Sequence, residues 1–176
     1  MTRAKLSLEE VARLTAGKPV LVVVDMQPQY FKASRDQATL AAVKAEILGA
    51  KERGEPIVVL EFILPGLTPT VERSTAAELV EVLEDENTPA IWVLKFKTTV
   101  DGSKQVLTAC RTFGFNDGHF RLCGVNLSAC VFQTALGLLN HRPLSRVEVL
   151  AGAVNDSLCE DPWMNFDMVP AITVVK

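Results

Sequence analysis

Histidine is almost missing from this chain. Only His119 and His141 occur in 176 residues, which excludes a histidine-rich cluster of the kind that holds catalytic zinc. Cysteine is sparse as well: Cys110, Cys123, Cys130 and Cys159 lack the paired short spacings of a zinc site, and a chain of this size has no need of disulfides. Free thiols are expected, and no metal. Positive charge is not in excess, with 18 Lys and Arg against 21 Asp and Glu and a formal charge of -3. A phosphate backbone would find no basic stripe, so nucleic-acid binding is disfavoured. Long apolar runs are missing too, since Val20 to Val24 and Ile57 to Leu60 fall far short of the roughly 20 residues that cross a bilayer. The opening MTRAKLSLEE turns amphipathic and acidic too early for a secretory leader, so a cytoplasmic location is expected. Finally, no Gly-x-Gly-x-x-Gly follows the first apolar run and no phosphate-loop Gly-Lys-Ser/Thr occurs; DMQPQY stands where the glycines of a nucleotide site would be.

What remains is 48% hydrophobic and 22% charged, enough apolar material for one compact domain over residues 1–176. Short Val-, Ile- and Leu-rich runs recur: VLVVVD from Val20, IVVLEF from Ile57, AIWVLKF from Ala90, FRLCGV from Phe120, Val147 to Ala151, and Ile172 to Val175. Continuous apolar runs of this length read as buried strands. Between them Gln37 to Arg53, Thr75 to Leu83, Gln105 to Arg111 and Ser128 to Asn140 carry helical spacing, and Ser7 with Glu10 forms a capping-box signature for a leading helix over Ser7 to Leu14. Strand and helix alternate, which implies crossover connections and a parallel sheet covered on both faces. The expected fold is a three-layer α/β/α sandwich around a mostly parallel sheet of five or six strands.

Chemistry in such a sheet gathers at the carboxyl ends of the strands. Those ends carry Asp25, Glu61, Lys95 with Lys97, and, after Gly124 and Val125, Cys130. An acid, a cation and a thiol thus share one edge. Cys130 falls where a helix begins, so unpaired backbone N–H groups and a nearby lysine are expected to favour its thiolate, and a carboxylate in reach could take the thiol proton and later return it to a leaving nitrogen. The other three cysteines are expected to pack in the core.

Two segments resemble the isochorismatase-like cysteine hydrolases, the group that includes nicotinamidases and N-carbamoylsarcosine amidohydrolases. LVVVDMQPQYF (Leu21 to Phe31) is similar to that family's opening strand, and LCGVNLSACVFQTA (Leu122 to Ala135) to its nucleophile segment. The resemblance implies Asp25 as the acid, Cys130 as the nucleophile, and a lysine at the end of the third strand. Counting from the start of each apolar run favours Lys95 and leaves Lys97 open. It also implies a non-proline cis peptide at Val125-Asn126, with the N–H groups of Asn126 and Cys130 forming an oxyanion hole. The metal segment of nicotinamidases has no counterpart in LEFILPGLTPTVE (Leu60 to Glu72), which holds no histidine. The activity implied is a metal-independent, cofactor-free hydrolase acting on the C–N bond of a small amide, ureide or imide. A non-catalytic member of the same fold that binds a small molecule or a protein is the alternative. Gln27, Tyr30, Phe62 and Trp163 are candidates for lining the pocket. A homo-oligomer is compatible with the resemblance, with Trp92, Trp163 and the Leu136 to Leu139 run as apolar surface.

Overall fold

The computed structural model describes residues 6–28, 32–63, 74–85 and 90–176. Its elements follow the alternation read from the sequence: α1 (Leu8–Thr15), β1 (Val20–Val24), α2 (Gln37–Arg53), β2 (Ile57–Phe62), α3 (Ala77–Glu84), β3 (Trp92–Lys97), α4 (Ser103–Phe113), β4 (His119–Gly124), α5 (Phe132–His141), β5 (Arg146–Val154), α6 (Met164–Asp167) and β6 (Ile172–Val175). The capping box at Ser7 and Glu10 is formed in both directions. The α2 helix starts at the Asp36 cap and ends at Gly54, whose φ of 64° lets the chain reverse.

All five strand pairings are parallel, and the sheet runs β3-β2-β1-β4-β5-β6. The expected "mostly parallel" sheet is therefore wholly parallel among the described strands. Alternate residues feed two cores. Val20, Val22, Val24, Val58, Leu60 and Leu122 meet α4 and α5 on one face, while Leu21, Val23, Ile57 and Val59 meet α2 and α3 on the other. Covering both faces explains why the strands read as unbroken apolar runs rather than as an alternation. Leu136, Leu139 and Trp163 pack against the first core and Trp92 against the second, each remaining partly exposed. Of the three cysteines expected in the core, Cys110 and Cys123 are buried, but Cys159 is exposed on the loop after β5; Cys130 is buried as well. No helix among the described residues is long and apolar enough to cross a membrane.

The strand order reverses between β1 and β4, and this is where open α/β sheets leave a crevice. Two backbone features shape that point. Asp25 leaves β1 with φ 51°, which turns its side chain away from the alternation that β1 would otherwise impose. Gly124 ends β4 with φ 112°, and a Cβ there would lie 2.1 Å from Val24 O. Only glycine fits so close an approach. Just beyond it, Val125 N–H donates to Val24 O at 2.9 Å and the Val125-Asn126 peptide is cis, as the resemblance implied. Gly124→Ala should therefore destabilise the protein by more than about 3 kcal/mol in a denaturant titration, whereas an alanine as well tolerated as one on a helix surface would contradict this packing.

Candidate active site

The β1 strand ends in Asp25, β3 in Lys97, and a single π-helical turn over Leu127–Val131 presents Cys130 ahead of α5. These three side chains meet. Lys97 Nζ lies 2.7 Å from Asp25 Oδ2, and neither side chain is accessible to solvent. The Cys130 thiol lies close enough to both to interact electrostatically with each. Apart from the Lys97 contact, the Asp25 oxygens have no hydrogen-bond partner among the described residues. The ammonium is also cradled by backbone carbonyls, donating to Thr99 O at 3.1 Å and Val100 O at 3.4 Å. Over it lies the Phe62 ring, with its centroid 4.9 Å from Nζ, a cation–π contact that strengthens when water is excluded.

The lysine preferred from the sequence is corrected by this geometry. Lys95 is half-buried with its ammonium 5.8 Å from the Phe113 centroid, and Lys97 is the one that reaches Asp25. The reason is register. Ile57 pairs with Trp92 and Leu21 with Ile57, so β3 begins two residues later than its apolar run. Counting from Ala90 therefore stops one same-face position short of the sheet edge.

The pocket candidates divide as well. Phe62 does border the site. Gln27 does not offer its amide to a ligand, because Nε2 donates to Phe62 O at 3.1 Å and Oε1 accepts from Phe62 N–H at 2.6 Å. It is a fully buried bracket extending the β1 and β2 pairing by side chain, and it seats the Phe62 backbone next to Lys97. Trp163 packs its ring 5.3 Å from that of Phe166, on the first core. Tyr30 lies outside the described residues, as does most of the stretch in which the resemblance would place a metal segment. His119 sits at the amino end of β4, 3.1 Å from Glu148, and His141 closes α5; neither approaches the Asp25 set. A cavity of about 750 Å³ lies at the amino ends of the strands, lined by Leu14, Trp92, Phe113 and Phe115 among others. It shares no residue with the Asp25 set, so the chemistry and this cavity occupy opposite ends of the sheet.

Burial dominates the electrostatics. It pushes the Asp25 carboxyl above its ordinary 3.8, against the pull of the Lys97 ammonium and the Cys130 contact and with added repulsion from Glu61. Burial likewise pushes the Cys130 thiol up to about 12, followed by the effect of Asp25, while Lys97 acts the other way. Burial thus runs against the lowered thiol pKa expected from a helix start, and desolvation is the largest influence on Cys130. Cys110 is pushed equally far by burial and then by Asp117, but its thiol faces the Asn116 carbonyl at 3.9 Å rather than a carboxylate. What separates Cys130 from it is a proton acceptor in contact. Moving the thiol proton to Asp25 leaves one negative and one positive charge in the buried set, as before, so no net charge has to be buried afresh.

Glu61, at the end of β2, was visible in the sequence only as an acid on the edge. It accepts from Thr75 N–H at 2.6 Å and Thr75 Oγ1–H at 2.9 Å, which ties the entry to α3. Sequence reasoning also missed the loop that secures the nucleophile turn: Asp156 Oδ2 accepts from Ser128 N–H at 2.5 Å, and Asn126 Oδ1 accepts from Ser157 N–H and Oγ–H, each at 3.2 Å. The turn-rich NDSLCEDP was the available signal.

Solved structures share this fold. The N-carbamoylsarcosine amidase of Thermoplasma acidophilum matches with a TM-score of 0.72 over 90% of this chain and 96% of its own, at 19% identity. A nicotinamidase of Staphylococcus aureus matches with 0.73 over 90% and 97%, at 16% identity, and an isochorismatase of Pseudomonas putida with 0.65 over 89% and 87%, at 15% identity. The chain has the fold of these isochorismatase-like hydrolases. Neither a family model nor a curated protein matches it.

Removing one member of a buried ion pair strands the other, at a cost of about 3–5 kcal/mol. Lys97→Met should lose stability on that scale in urea, while Lys95→Met, which forfeits only a partly exposed cation–π contact, should lose about 1 kcal/mol or less. Equal losses would mean that Lys97 and Asp25 are not paired in the folded protein.

Proposed function

We propose that the protein is a metal-independent cysteine hydrolase that cleaves the C–N bond of a small amide, ureide or imide. The observation that carries this reading is the buried Asp25–Lys97 pair, 2.7 Å apart, in contact with the Cys130 thiol. Support comes also from the fold, since solved structures that share it are titled amidase, nicotinamidase and isochorismatase.

The residues divide the work as follows. The Cys130 thiol passes its proton to Asp25 as sulfur bonds to the substrate carbonyl carbon. The oxyanion that forms is received by the N–H groups of Asn126 and Cys130. Collapse of that intermediate breaks the C–N bond, and Asp25 returns the proton to the leaving nitrogen, releasing ammonia or an amine. Water then gives a proton to Asp25 and attacks the thioester; the C–S bond breaks, the acid departs, and sulfur regains the proton. Lys97 holds Asp25 in line. Its ammonium is engaged by carbonyls and carboxylate, so it anchors the acid rather than the substrate. The raised carboxyl pKa suits the acid to accept a proton that only a strong base would otherwise take.

Incubation with a panel of small amides, ureides and imides should release ammonia or amine, and Cys130→Ala should abolish that release while the fold is retained. Turnover that survives in Cys130→Ala would overturn the mechanism. A protein that turns over none of the panel, yet binds members of it in calorimetry, would instead be the non-catalytic binder of the same fold. The pH profile carries a second expectation. Asp25 must start as a carboxylate to act as base, so activity falls as falling pH protonates it. Because burial holds its pKa above 3.8, the acid limb of kcat/KM should lie above that value. It should disappear with the activity in Asp25→Asn, and a limb below 3.8 would contradict the assignment.

A further inference from the structure

The carbonyls that cradle the Lys97 ammonium belong to the turn between β3 and α4, so the ammonium is only as well placed as that turn. Two bonds stiffen the turn internally: Thr99 Oγ1 donates to Asp101 O at 2.9 Å, and Ser103 N–H donates to Asp101 Oδ1 at 2.7 Å. Neither says where the turn sits relative to the nucleophile. The bond that does so is Gly102 N–H to Thr134 Oγ1 at 3.0 Å. Thr134 is fully buried on α5, four residues beyond Cys130 and so one turn along the same helical segment. Glycines make the approach possible. A Cβ on Gly102 would stand 2.5 Å from Leu60 Cδ1, 3.1 Å from Lys97 Cδ and 3.3 Å from Thr134 Oγ1, and one on Gly137 would stand 2.5 Å from Ser103 Oγ and 2.6 Å from Asp101 Oδ1.

We propose that Thr134 is a positioning residue for the Lys97 ammonium. Its hydroxyl holds Gly102, and through Gly102 the Thr99 and Val100 carbonyls, at a fixed distance from Cys130. The inference rests on the reading of Cys130 as nucleophile, and it deepens that reading by naming the group that links the lysine's seat to the nucleophile helix. A buried N–H that loses its only acceptor relocates or stays unpaired at a cost, and the turn would shift to find another. Lys97 would move with it.

Threonine permits a clean dissection, because valine keeps the shape without the acceptor and serine keeps the acceptor without the methyl. The charged groups facing Cys130 are Asp25 and Lys97, with Glu61 behind Asp25, so a displaced ammonium makes the thiolate harder to form. Alkylation by iodoacetamide followed peptide by peptide, which separates Cys130 from the exposed Cys159, reads this directly. In Thr134→Val the Cys130 rate at neutral pH should fall roughly tenfold, with its pH profile moved up by about 1 unit. In the turnover assay kcat should fall by a similar factor with KM within about twofold. Thr134→Ser should restore all of these to within about twofold of the unaltered protein. Gly102→Ala, whose Cβ would press on Leu60 and on the Lys97 stem as well as on Thr134 Oγ1, should repeat the valine result, so the decision does not hang on one variant folding. Far-UV circular dichroism and a cooperative melt confirm the fold in each case. A folded Thr134→Val or Gly102→Ala with an unaltered alkylation profile would overturn the proposal, as would a Thr134→Ser as impaired as the valine variant. The alkylation arm needs no substrate. Failure of the hydrolase reading, seen as no turnover by the unaltered protein, is thereby distinguished from failure of the role of Thr134.

Discussion

The contact between Asp25 and Lys97 is the constraint around which this molecule is arranged. A carboxylate and an ammonium taken wholly out of water lose hydration worth several kcal/mol each, and their mutual attraction offsets the loss only when the geometry is good and further polar partners are supplied. The structure supplies them: Thr99 and Val100 carbonyls and the Phe62 ring for the lysine, and the Cys130 thiol for both ions. Each partner has in turn to be held. Gln27 brackets the Phe62 backbone, the Gly102 to Thr134 bond seats the β3–α4 turn, and the Asp156 and Ser157 contacts secure the turn that carries the thiol. Replacing a buried ion pair by well-packed hydrophobic residues is often neutral or stabilising, so stability alone does not account for this pair.

Topology decides where this contact falls. The sheet reverses its strand order between β1 and β4, so the loops leaving these strands diverge and open a crevice. Asp25 enters it through its positive φ, Gly124 lets β4 come close enough to β1 for Val125 to pair with Val24, and the nucleophile turn follows immediately. Lys97 arrives from the far side of β2, on an edge strand, and needs its long stem to reach across. The buried set stays overall neutral whichever of Asp25 and Cys130 holds the proton. For that reason a proton can move between them in a medium that penalises any new net charge.

Much of this was legible in the residues. Unbroken apolar runs between helical segments identified the doubly covered parallel sheet, and the ends of α2 and β6 fell where their periodicity placed them. Resemblance supplied Asp25, Cys130 and the cis peptide. The third member was harder to read, because Lys95 and Lys97 share a face and only inter-strand register, a property of pairs of strands, tells which one reaches the edge. Gln27 shows the same limit: a polar residue beside an acidic strand end looks like a ligand contact until its amide is found spent on a backbone. The helix start at Cys130 also misled, since a local argument for a lowered thiol pKa carries no information about burial, which dominates. The carbonyl cradle and Thr134 left no composition signal, and the turn-rich segment around Asp156 did not name its partner, as these roles follow from which turns are packed together.

The central claim is that Cys130 is chemically set apart from the other cysteines by the buried acid and lysine at its side. Competitive alkylation of the unaltered protein at neutral pH with a small neutral electrophile such as chloroacetamide, resolved by peptide, tests it most directly. The account predicts that Cys130 is modified faster than the equally buried Cys110 and Cys123, and that Asp25→Asn removes the advantage. Modification of Cys159 alone, with Cys130 as inert as the two core thiols, would contradict it.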